Sequence, residues 1–164
     1  MANESIIIKL KDSIMDALCL DEDINSFIDS EKYNGEKLKF THIFPYNKNP
    51  NTITETSTFI TVTVNARSRD INKTFVTPIL TIIIYSHCDH MNLYNPFKKK
   101  NEDYNRNDYL GYLITEKFNG TTEYGGIGKL QLVSDEEYPA TEKFLARKLV
   151  FETVDINASM CNRW

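Results

Sequence analysis

The chain has 164 residues, enough to close one core and short for two. Hydrophobic residues make up 41% and charged residues 26%, a balance that excludes disorder of the whole chain. With 23 acidic and 19 basic residues the net charge is −4, which excludes a chain-wide attraction to nucleic acid, since phosphate binding needs a surplus of Lys and Arg.

Nine Phe and nine Tyr supply apolar area for a core or an interface. The N-terminus has no basic region ahead of an apolar stretch, and Lys9 interrupts Ile6-Ile7-Ile8, so a signal sequence is not expected. No run approaches the roughly 20 apolar residues that span a bilayer. Cys19, Cys88 and Cys161 are odd in number and scattered, which fits a chain that folds in a reducing cytoplasm without a disulfide framework.

Taken in chain order, Ile6, Ile7, Leu10, Ile14 and Leu18 recur at spacings that predict an amphipathic helix. Asp21 or Asp23 can cap a second short helix carrying Ile24, Phe27 and Ile28. Asn34-Gly35 marks a turn. Leu38, Phe40, His42 and Phe44 then alternate with polar residues, predicting a half-buried strand, and Pro45 to Pro50 reads as a loop. A second strand runs from Thr58 to Ala66, residues 67–74 form a polar connection, and Phe75 to Tyr85 is a third strand. Its run Ile79-Leu80-Thr81-Ile82-Ile83-Ile84-Tyr85 is the most apolar in the chain and belongs at the sheet centre, covered on both faces. The second and third strands should pair as a hairpin.

Residues 91–108, rich in Asn, Asp, Lys and Tyr, read as a long flexible loop of the kind that carries function or stays disordered. A helix follows, capped by Asn107 or Asp108, with Leu110, Leu113, Ile114 and Phe118 as its buried stripe and Asn119-Gly120 at its end. Gly125, Gly126 and Gly128 lead into a strand over Lys129 to Ser134. A loop with Pro139 precedes the last strand, Ala146 to Ile156. This order predicts a single α+β domain over residues 1–164, an antiparallel or mixed sheet with helices packed on one face.

Residues that could carry chemistry are few. His87-Cys88-Asp89-His90 ends the central strand, and His87 and His90 could flank a metal ion. A closed zinc site needs four ligands, and the only other histidine is the distant His42. Cys88 beside His87 would point to the opposite face of a strand, which disfavours a catalytic pair. There is no Gly-x-Ser-x-Gly elbow. Asp135-Glu136-Glu137 reads as a solvated turn, and Gly125-Gly126-Ile127-Gly128 precedes a strand where a phosphate loop would precede a helix. The basic cluster Lys98-Lys99-Lys100 lies in the long loop with Tyr94, Phe97 and Tyr104, where aromatics and lysines could cover a partner or touch DNA. No catalytic residue and no cofactor is expected.

The layout resembles the tail terminator (tail completion) proteins of tailed bacteriophages and phage-like particles. The resemblance covers nearly the whole chain. It rests on the N-terminal helix, on Phe44-Pro45-Tyr46-Asn47 followed by Thr54-Glu55-Thr56 and a strand, and on the apolar strand ending in Tyr85-Ser86-His87. It continues through Arg106-Asn107-Asp108-Tyr109-Leu110, through Gly126-Ile127-Gly128-Lys129-Leu130-Gln131-Leu132, and to Asp155-Ile156-Asn157. The resemblance implies a non-enzymatic virion protein of the tail or neck, assembled in the host cytoplasm. It implies a ring, commonly of six copies, that caps the tail tube protein, stops its polymerisation and joins the head-tail connector protein, with DNA only in transit and no membrane or cofactor. The lysine-bearing loop matches no known role in that family. Within the phage-assembly resemblance the nearest alternative is a head-tail connector or head-completion protein; two other readings follow from the residues, a small metal-dependent enzyme centred on His87 and His90, and a nucleic-acid-binding module using the basic loop.

Overall fold

The computed structural model describes residues 2–28, 38–68, 76–93, 104–124 and 128–153. Asn34-Gly35, most of the polar connection after residue 67, the centre of the long loop, Gly125 to Ile127, the end of the last predicted strand and Cys161 lie outside the described residues.

Helix α1 (Ala2–Leu20) buries Leu10, Ile14 and Leu18 of the expected stripe completely, with Met15 beside them, while Ile6 and Ile7 are partly buried against the same core. Each such side chain contributes roughly 1.5–3 kcal/mol when fully withdrawn from water. Helix α2 (Glu22–Ile28) is capped by Asp21, whose Oδ1 accepts from the Ile24 N–H at 3.0 Å. The Asn25 amide donates to the Cys19 carbonyl at 2.6 Å and so ties the two helices at their junction. Among the described residues, no helix is long and apolar enough to cross a membrane.

Strand β1 (Ile43–Phe44) lies parallel to β2 (Thr58–Ser68), and β2 and β3 (Val76–His87) pair antiparallel from Thr58↔Ser86 to Ser68↔Val76. Strands β4 (Asn92–Leu93) and β5 (Tyr104–Asn105) form a separate ribbon, followed by α3 (Arg106–Phe118). Strand β6 (Leu130–Pro139) pairs with β7 (Phe144–Thr153), which pairs with the far side of β3. The main sheet is thus mixed, in the order β1-β2-β3-β7-β6. It is an α+β fold, with the predicted hairpin and with the third predicted strand at its centre.

Successive residues of a strand face opposite sides of the sheet. Leu80, Ile82 and Ile84 of β3, with Ile60 and Val62 of β2 and Leu149 and Phe151 of β7, meet α1 and the Leu110-Ile114-Phe118 stripe of α3 in the main core. On the other side Ile83 and Tyr85 join Phe44, Phe59, Phe144 and Ala146 in a second, mainly aromatic cluster. Phe59 stacks on Tyr85 with ring centroids 4.7 Å apart. Between that cluster and the buried Thr77 the second face of the central strand is less covered. Ile79 and Thr81 are only half-buried, so the expectation of burial on both faces is corrected for that stretch.

Four other expectations need correction. Leu38 to Phe44 is not one strand. The Phe40 N–H donates to the Ile43 carbonyl (2.8 Å) and the His42 N–H to the Leu38 carbonyl (2.9 Å), which folds the segment into a tight turn between the buried anchors Leu38 and Ile43. Helix α3 is capped earlier than expected, by Asn105, whose Oδ1 accepts from the N–H groups of Asn107 and Asp108. The acidic run Asp135-Glu136-Glu137 lies within β6, because the strand continues past an irregularity between Leu132 and Ser134. The last strand begins at Phe144, two residues before Ala146.

Candidate functional site

The His87–His90 segment leaves β3 as a short 3₁₀ turn over Cys88–His90. His87 caps that turn: its Nδ1 accepts from the Asp89 N–H at 3.1 Å, and its ring meets Phe144 edge-on at 5.3 Å. His90 turns toward β2, where its Nδ1 is 2.8 Å from Thr58 Oγ1, itself 2.8 Å from Ser86 Oγ. Each imidazole is therefore engaged in fixing the end of the sheet. Among the described residues no group of three or more His, Cys, Asp or Glu comes together to hold a metal ion.

Of the predicted loop residues, Tyr94, Phe97, Lys98, Lys99 and Lys100 lie outside the described residues. Tyr104 is at the loop base in β5, paired with Leu93, its ring 5.7 Å from Tyr109. Tyr109 also meets Phe27 of α2 edge-on at 4.8 Å. Beside it, Arg106 is buried at the start of α3. Its Nε donates to the His90 carbonyl at 2.7 Å and its Nη1 to the Phe27 carbonyl. Burial lowers its pKa from the ordinary guanidinium value. One arginine thus fastens α2, the 3₁₀ turn and α3 together, so the loop closes on a rigid base.

A second cation works in the same way. Arg147 of β7 donates from Nη1 to Asp108 (2.5 Å) and from Nη2 to Asp135 (3.1 Å), linking α3 to β6. A Cβ at Gly111 would lie 2.9 Å from the Arg147 side chain, so glycine there lets the arginine lie across the helix. At the opposite end of α3, Lys117 meets Asp21 at 2.7 Å.

Among the described residues, two concavities lie at the aromatic end of the sheet. A cavity of about 280 Å³ lies over Phe44 and Phe59, walled by Phe40, His42, Lys48 and Glu55. A broader cleft of about 520 Å³ runs between Pro50-Asn51 and the Ala140–Phe144 turn. Ile53 and Thr54 form the wall they share. Phe40 stands at the rim, 58% exposed, with φ at +65°. That backbone region is costly for a bulky L-residue. Tyr46, 44% exposed, and Lys48, whose Nζ lies 5.2 Å from the Phe44 ring centre, complete this margin. At the other margin of the sheet, Val133 sits at the β6 irregularity, 50% exposed. Sequence reasoning missed Phe40 and Val133, because alternation assigned the first to a buried face and nothing local marks the second as an extra residue.

What fold and surface define is a small α+β protein with a rigid helix-covered core and exposed apolar residues at both margins of its sheet. The chain belongs to the YomW family, a phage-derived family whose sequence model matches residues 11–153. Neither the curated proteins nor the solved structures contain a match to it.

Proposed function

We propose that this phage-associated protein is a tail terminator: a ring, of six copies, that caps the tail tube, ends its polymerisation and joins the tail to the head connector. The observation that carries the reading is membership of a phage-derived family over residues 11–153, on an α+β fold of the class that the resemblance implies. A closed ring needs two different patches on each copy, and exposed apolar residues on several elements, among them Leu20, Phe40, Tyr112 and Val133, are available for such contacts. The role involves no reaction and no cofactor. Its partners are further copies of the chain, the tail tube protein and the connector, with DNA only passing through, and it resides in the tail or neck of the virion.

Negative-stain imaging of the purified protein mixed with its tail tubes tests this. The expected result is a six-fold ring on one end of each tube. A ring on the head vertex and none on the tube would transfer the reading to a head-completion protein. Tubes with bare ends at saturating protein would end it.

A further inference from the structure

We infer that the edge of β2 beyond Thr61 is a docking edge, which takes a short extended segment of a partner protein as an added strand. This holds whether or not the protein forms a ring.

The other edges of the main sheet are closed by local devices. At β6 the Leu130 N–H donates to the Thr121 carbonyl (2.9 Å), the Gly120 N–H to the Leu130 carbonyl (2.7 Å) and the Leu132 N–H to Asn119 Oδ1 (2.9 Å). The register irregularity, the run Asp135-Glu136-Glu137 and Pro139 blunt the rest of that strand. At β1 the Ile43 carbonyl accepts from the Phe40 N–H within the tight turn, and Pro45 ends the strand. Where β3 runs on past β7, their ladder stops at Ile79↔Glu152, next to Pro78, which has no N–H to donate.

Strand β2 has no such device beyond Thr61. Successive residues of an antiparallel strand send their N–H and C=O groups to opposite sides. The Ile60 N–H donates to the His42 carbonyl at 2.7 Å, away from β3, and the β2–β3 register runs unbroken from Thr58 to Ser68. Val64 and Ala66 therefore share the outward direction of Ile60. Strand β1 reaches only as far as Thr61, so among the described residues no strand meets the outward groups of Val64 and Ala66. This stretch has no proline and no bulge, and Arg67 is its single charge. An edge of that kind is a template for pairing.

The surroundings define the occupant. Unpaired N–H and C=O groups at ladder spacing are matched by the backbone of another extended segment. Strand β1 already stands in the column where that segment would lie. A long strand of a second folded sheet would run into it, whereas a short segment placed beyond Pro45 fits. Lys39 Nζ lies 3.6 Å from Asp16, and Lys11 Nζ donates to the Pro45 carbonyl at 2.7 Å. Helix α1 thus runs opposite to β1, and its preceding turn continues alongside the open stretch, where Ile7 packs against the core that holds Val64. Ile8, 59% exposed, stands one turn before Lys11 on the flank beside that column. The docked segment therefore presents an apolar side chain to Ile8.

The probe is a short synthetic peptide of alternating Val and Thr, blocked at both ends, and the measure is amide hydrogen exchange read by NMR. In the free protein the Val64 and Ala66 amides should exchange at least roughly tenfold faster than those of Thr63 and Asn65, which point into the β3 ladder. Saturating peptide should slow them by at least a similar factor. A peptide N-methylated at alternate residues should have no effect. Ala66→Pro, which removes an outward N–H and no ladder bond, should abolish binding and keep the wild-type unfolding midpoint, while Ala66→Thr should bind like the wild type. If Ala66→Pro fails to fold, the methylated peptide carries the test. Val64 and Ala66 amides as slow as their neighbours in the free protein, no slowing at millimolar peptide, or equal slowing by the methylated peptide overturns the docking edge. Protection that grows with protein concentration alone assigns the edge to a second copy and overturns the partner.

Discussion

The two faces of the main sheet are built differently. On one, Leu80, Ile82 and Ile84 lie under α1 and α3 and are fully buried. On the other, cover is uneven: aromatic rings close over Ile83 and Tyr85 and Thr77 is buried, while Ile79 and Thr81 between them are half-buried. The first face holds the chain folded. The second carries the concavities beside Phe40 and Phe144, where substitutions should cost less stability.

The sharpest way to break that comparison is to place one charge on either side of the same strand. Ile82→Asp buries an unpaired carboxylate among Val62 and Leu149, its ladder partners, and should cost about 4 kcal/mol or more, enough to unfold the domain. Thr81→Asp, one residue away, should cost no more than about 1 kcal/mol. Urea unfolding of both measures the difference, and a folded Ile82→Asp protein contradicts the assignment of faces. Next in size is Phe118→Ala on the helix side, expected to lose about 3–5 kcal/mol because the ring is fully buried against Phe151 and Tyr124.

A smaller effect sits at the helix junction. Asp21 caps α2 and pairs with Lys117, so Asp21→Ala should cost about 1 kcal/mol at neutral pH. Burial alone would raise the Asp21 pKa, but the Lys117 hydrogen bond and the Ile24 N–H outweigh it and lower the value. A carboxylate whose folded pKa is depressed stabilises above its unfolded pKa, about 3.9, and loses that contribution as pH falls through the folded value. The gap between the wild type and Asp21→Ala should therefore be constant near pH 7 and close below about pH 4. A gap that widens in acid contradicts the pairing.

At the margin, Phe40→Asn should stabilise the monomer by roughly 1 kcal/mol, since asparagine tolerates the left-handed backbone. A loss of stability would mean that the ring is part of the core. The two described thiols mark the same division without an energy. Burial raises the Cys19 pKa to about 11, so in the folded protein at pH 8 a thiol reagent should label exposed Cys88 and spare Cys19.

The sequence made the helix-covered face legible and left the other obscure. Periodicity of 3.6 and 2 is a record of burial, and it located α1, the β2–β3 hairpin and the stripe of α3. It misassigned Leu38 to Phe44, because alternation there comes from a turn whose true anchors are Leu38 and Ile43, five residues apart. It read Asp135-Glu136-Glu137 as a loop, because acidic residues are scarce in strands, and their cross-strand partners Lys148 and Arg147 are remote in sequence. His87 and His90 looked like a pair from their spacing. The 3₁₀ turn sends them to different partners, Phe144 and Thr58. The cavity beside Phe40 depends on segments brought together only by folding, and no local pattern marks it.

The length of the tail tube tests the central claim most directly. In particles assembled without this protein, tubes imaged by electron microscopy should lose their uniform length and lack attached heads, and supplying the protein should restore both. Tubes of normal length that join heads in its absence would contradict the account.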